Sequence, residues 1–312
     1  MLFSLQLCFI SKKDIPTTLI LDNTTKFVFT NHEKYYEKLG IATNQGNIFE
    51  LSIQYSDERV RNHIIDLFCA AYTVIAAYNH YDLFELLATP TGDPNFSACQ
   101  GDDEAYSACL LVQKCYNSQR YKNAICKYHV AHETFALHPM DLHPVNEPIE
   151  RNTVLTENIR IANVVVACYS ILEELGFQII IKKLDDGTNE SSVTPDGKAW
   201  NPEVLERLKT ALRTNGINPE SDIMWLSRNG IPRPFRDNVV DTSSPCEWSD
   251  GDAIADFNIK ITDAILELSY MRSHLASHSV GNRVLKLTIY DAENAFHLAR
   301  MVLLNFFKIK PS

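Results

Sequence analysis

The chain lacks a Walker loop, GxGxxG, GxSxG and HExxH, so the familiar nucleotide-cradling, serine-hydrolase and zinc-protease signatures are missing. Its eight cysteines form no CxxC pair, and Cys69 and Cys168 fall inside apolar helical runs. Reduced, buried thiols in a cytoplasmic protein are the simplest account. No apolar run is long and clean enough for a bilayer. Ile64–Ala77 carries Asp66, and Val164–Ile181 carries Glu173 and Glu174, so no membrane association is expected. Met1–Ile10 is apolar without a basic flank or a small-residue cleavage site, which suits a first strand better than a secretion signal. An excess of positive charge is missing too. With 39 acids against 29 bases the net charge is −10, which offers duplex DNA no general grip. A nucleic-acid enzyme then needs its bases focused into one groove.

What is present is a folded-protein composition, 45% apolar and 22% charged, over 312 residues, enough for two domains. Short β-type runs occupy Leu2–Ile10, Thr18–Leu21, Lys26–Thr30 and Asn47–Tyr55. Ser56 then reads as an N-cap, followed by acids at 57 and 58 and helical spacing through Ile64, Leu67, Phe68, Ala71 and Ile75. Two further helices are expected at about 104–118 and 121–137. Pro139, Pro144 and Pro148 cannot continue a helix, which places the domain boundary near 138–152.

Beyond it the periodicity predicts four helices. The first runs from about Thr156 to Leu175 with Gly176 as its stop, and the second opens at Pro202 and ends near Gly216. The third covers about Ile259–Ser277 and the fourth about Tyr290–Phe307. The expectation is an α+β chain: residues 1–145 a domain with strands to about 55 and then helices, and residues 153–312 an all-α domain.

On the third helix Ile261, Ile265, Leu268, Leu275 and Ala276 form one stripe, and Arg272 falls in its middle. A guanidinium on an apolar face costs desolvation unless an anion, groove or interface receives it. His278 follows six residues later, where Ser279, Gly281 and Asn282 end the helix, and Ser273 and His274 add polar groups beside the arginine. A phosphodiester needs a cation for its transition-state charge and an acid/base near neutral pH; arginine plus histidine provides both.

The segment Arg272-Ser-His-Leu-Ala-Ser-His278, at the end of the third of four helices, resembles the motif of the HEPN family, an arginine followed at short spacing by a histidine. The resemblance extends to the layout of the C-terminal half, whose fourth helix sits where that family keeps its closing helix. It implies a metal-independent endoribonuclease without cofactor, with Arg272, Ser273 and His278 as catalytic residues in a site shared by a homodimer. The implied product is a 2′,3′-cyclic phosphate. The implied role is a toxin or abortive-infection effector in anti-phage defence, with a defence-system protein as partner. Ser273 stands where the family often has Asn or Asp, and Ser279 where many members have Gly. The alternative is a non-catalytic HEPN-like module that binds nucleotide, RNA or a protein.

Supporting candidates are His274, Glu173 in the first helix and His297 in the fourth, the last two also read as a surface acid and a packed bundle histidine. Trp225, Arg228, Arg233 and Arg236 alternate with Phe235 and no acid, a composition that suits single-stranded RNA, or else an ordinary loop packing its rings. Cys126, His129 and His132 recur at steps of three, but no second cysteine or carboxylate pair completes a ligand set, so no metal is expected.

Overall fold

The structure, a computed structural model, describes residues 1–11, 13–31, 47–76, 104–135, 155–228, 230–237, 254–276 and 282–310. The architecture is α+β, and the chain divides into two compact units. One comprises Met1–His129 with Phe307–Ser312, the other Val130–Phe306. The division falls inside a helix, and the proline-rich boundary expected at 138–152 lies outside the described residues.

The first unit is built on four antiparallel strands, β1 (Leu2–Ser11), β2 (Thr18–Ile20), β3 (Lys26–Asn31) and β4 (Asn47–Gln54), in the order β1-β4-β3-β2. Alternation sets which face is buried. Phe27 and Phe29 of β3 point inward with Phe49, Leu51 and Ile53 of β4 and with Leu5, Leu7 and Phe9 of β1. Three helices follow, α1 (Glu58–Ala76), α2 (Glu104–Cys115) and α3 (Gln119–Phe135). Phe68 of α1 meets Phe27 with ring centroids 6.1 Å apart, and Tyr106 of α2 meets Phe29 edge-on at 5.6 Å. The cap of α1 is Asp57, not Ser56: its Oδ1 accepts from the Arg59 and Val60 amides at 2.9 and 3.2 Å. Cys69, Cys109, Cys115 and Cys168 are buried free thiols. Burial pushes the last three well above the ordinary thiol range.

The second unit holds the expected helices with caps as predicted. Helix α4 (Leu155–Leu175) stops at Gly176, whose φ of 84° closes a turn in which the Phe177 amide donates to the Leu172 carbonyl at 2.8 Å. Helix α5 (Pro202–Thr214) starts with Asn201 as its cap, accepting from the Glu203 amide, and Pro202 in the first turn. Residues 153–312, expected to be all-α, also contain a two-stranded antiparallel sheet. Strand β5 (Asp222–Arg228) pairs with β6 (Ile254–Lys260), and a short helix α6 (Arg233–Asp237) follows β5. Asn294, buried on α8 (Ile289–Phe307), accepts from the Leu226 amide and donates to its carbonyl, which fixes the strand to that helix.

The third predicted helix begins as α7 (Ile261–Tyr270) and continues as a π-helical turn over Met271–Ala276. A 3-10 turn, Asn282–Lys286, precedes α8. Among the described residues no helix is long and apolar enough to cross a membrane.

Candidate functional site

The π-helical turn decides where Arg272 goes. In a regular helix both Met271 and Arg272 flank the inner position one turn after Leu268. The looser winding gives that position to Met271, which is fully buried, and the stripe resumes at Leu275. Arg272 is thereby rotated off the apolar face, its side chain 40% exposed. The expectation of a guanidinium embedded in the stripe is corrected: it lies at the edge of the stripe, in a cleft.

That cleft, about 730 Å³ in volume, is walled by α4, the π-helical turn, the loop after α4 and the 3-10 turn. Glu173 of α4 faces Arg272, Oε1 lying 3.7 Å from Nη2, while the guanidinium carbon stands 5.5 Å from the centre of the Tyr169 ring. The Ser269 hydroxyl meets the Tyr169 hydroxyl at 3.4 Å. Ser273 and His274 line the same cleft, and the His274 ring lies against Tyr270 with centroids 4.5 Å apart. The loop after α4 contributes Ser191 and Ser192, and the 3-10 turn contributes Arg283 and Lys286. Cations, hydroxyls and aromatic faces thus share one solvent-open concavity, a donor set for anions.

Of the residues singled out in the sequence, Arg272, Ser273, His274 and Glu173 come together here. Glu173, read chiefly as a surface acid, is the partner of the arginine. His278 lies outside the described residues. His297 is on an exposed side of α8 and does not line the cleft; desolvation and then Arg300 hold its pKa below the usual imidazole value.

The RNA-stacking expectation for the Trp225 segment is corrected at two residues. Trp225 is fully buried on β5 and offers no face to a base. Arg233 is buried in an ion pair with Asp291 of α8 at 3.0 Å. Arg236 is half-buried beside Glu267 of α7, and the Arg228 side chain lies outside the description.

The His/Cys row on α3 goes to separate partners. The His129 Nδ1 sits 2.9 Å from the Thr73 hydroxyl, and His132 packs edge-on against Phe296. Among the described residues no group of three or more potential ligands gathers.

Sequence reasoning missed Arg283, Lys286, Tyr169 and Tyr270. Two cations three residues apart just beyond the Gly281-Asn282 break were the available signal for the first pair. The aromatic walls depend on α4 meeting the π-helical turn, which no local pattern encodes. Set against protein-family models, curated proteins and solved structures, the chain matches none.

Proposed function

We propose that the cleft binds a single strand of RNA and cleaves it without a metal ion, in the manner implied by the HEPN-like Arg272–His278 segment. The observation that carries the reading is Arg272 turned by the π-helical turn into an open cleft that also holds hydroxyls and two further cations. In the reaction the ribose 2′-oxygen attacks the adjacent phosphorus, forming the O2′–P bond and breaking the bond to the 5′-oxygen. The 2′-hydroxyl proton passes to an imidazole, and the departing 5′-oxygen takes a proton from an acid. Arg272 stabilises the charge gathering on the phosphoryl oxygens, and the Ser273 hydroxyl donates to one of them. Glu173 positions the guanidinium from the far side. His278 is the proposed acid/base from its place in the sequence, and a partner protomer's copy supplies the opposite proton role. The products are a 2′,3′-cyclic phosphate and a 5′-hydroxyl, and DNA, lacking the attacking hydroxyl, is left intact. The biological setting proposed is a toxin-type defence effector.

The test is incubation of the purified chain with mixed RNA oligonucleotides in EDTA. Cleavage is expected in the parent protein and should fall by about 100-fold or more in Arg272→Ala and in His278→Ala. Undiminished cutting by the double variant removes the reading. If His274→Ala alone abolishes cutting and His278→Ala does not, the imidazole role passes to His274, which already lines the cleft. Tight RNA binding with no cleavage points to the non-catalytic module.

A further inference from the structure

Arg283 and Lys286 sit three residues apart on the 3-10 turn that closes the cleft beside α4 and the π-helical turn. Side chains at i and i+3 eclipse in this geometry, so the two cations leave the turn on the same side, and both line the cleft. Their electrostatic setting differs from that of Arg272 in the same cleft and of several other cations of the second unit. Arg272 has Glu173, Arg233 has Asp291, Arg207 has Glu190, Lys209 has Glu220 and Lys260 has Asp222. Among the described residues neither Arg283 nor Lys286 has a carboxylate partner. In a chain of net charge −10, acids are not scarce, so two uncompensated cations facing one concavity mark a place where negative charge is brought in from outside. The cleft lining adds neutral polar residues, Ser191, Ser192 and Gln178 among them.

We propose that Arg283 and Lys286 form a second phosphate subsite, separate from Arg272, so that the cleft takes an oligonucleotide strand and grips it at a phosphate away from the reacting one. This inference rests on the RNA reading of the cleft, but concerns binding and not cleavage. The subsite explains how an acidic protein holds a polyanion: the grip is local, and the rest of the surface repels.

The experiment measures binding of a short single-stranded RNA carrying 2′-O-methyl riboses, which cannot be cut, by fluorescence anisotropy across a salt series. Each phosphate neutralised on a single strand contributes about 0.7 to the slope of log affinity against log salt, so Arg283→Gln/Lys286→Gln, which removes one phosphate contact, should lower the slope by about 0.7 and weaken binding about 5-fold near 0.1 M salt. Lys198→Gln/Lys310→Gln, which changes the net charge equally at exposed positions outside the cleft, should leave the slope as it was. Equal losses in the two doubles, no loss in the first, or no RNA binding by the parent chain overturns the subsite. Cleavage of unmodified RNA is scored separately. A normal slope loss in a protein that never cuts retains the subsite and rejects the catalytic reading. Cutting with no slope loss does the reverse.

Discussion

Glu267 sits on α7 with 2% of its surface exposed, and its Oε2 has no hydrogen-bond partner among the described residues. Burial raises its pKa from 4.5 to about 7. Arg233 and Arg236 of α6 oppose the rise, Asp291 of α8 adds to it, and the Arg233 amide opposes it. Below about pH 4.5 the carboxyl is protonated in both folded and unfolded chains and has no effect on stability. Between about 4.5 and 7 the folded chain holds a proton that the unfolded chain has released, so stability falls as pH rises through that window. Above it the folded state carries the full cost of a buried charge. Glu267→Gln should therefore stabilise the protein at about pH 8, by on the order of 2–3 kcal/mol, and change little at about pH 4. Thermal melts of the two proteins across that range check this; parallel curves would mean the buried carboxyl has an ordinary pKa.

At the level of elements, the backbone at Gly230, just after β5, is closely held against β6. Gly230, with φ of 68°, follows β5, and a Cβ built on it comes 2.9 Å from the Phe257 ring of β6. Gly176 has a similar backbone, φ of 84°, but a Cβ there meets nothing within 4 Å. Gly176→Ala should cost only the left-handed backbone, about 1–2 kcal/mol. Gly230→Ala should cost that and about 1–3 kcal/mol more, because the ring must shift against the sheet. Urea unfolding of both variants gives the comparison. Equal losses would mean that Phe257 yields freely. The π-helical turn is the other decisive element, since one loosened turn separates Met271, which enters the core, from Arg272, which enters the cleft.

Across the whole molecule the excess of acids disfavours nucleic acid on the general surface, so the proposed RNA binding is confined to the cleft of the second unit. The proposed chemistry needs a base and an acid on opposite sides of one phosphate, and His278 supplies one imidazole per chain. A second protomer completes the pair most simply. Light scattering on the eluting protein should give twice the mass of one chain. A monomer at concentrations where RNA is cut would rule out a shared site and assign both proton transfers to one cleft, with His274 as the available second imidazole.

The sequence by itself determined the elements whose signals are local. Short β-type runs at Lys26–Thr30 and Asn47–Tyr55, with apolar Phe27, Phe29, Phe49 and Leu51 at alternate positions, marked strands, and Asn201-Pro202 and Gly176 marked a start and a stop, because caps and alternation depend on near neighbours. It also assembled Arg272, Ser273, His274 and Glu173 as candidates, and three of these are contiguous. What tertiary structure alone decided is where side chains point once distant segments pair. Strands β5 and β6 are separated by 25 residues, so nothing local announced their pairing, and that pairing buries Trp225. Arg233 reads as a nucleic-acid contact until Asp291, 58 residues away, claims it. The π-helical turn, which packs against α4, likewise decides between Met271 and Arg272, since a regular helical repeat sets both beside the inner position.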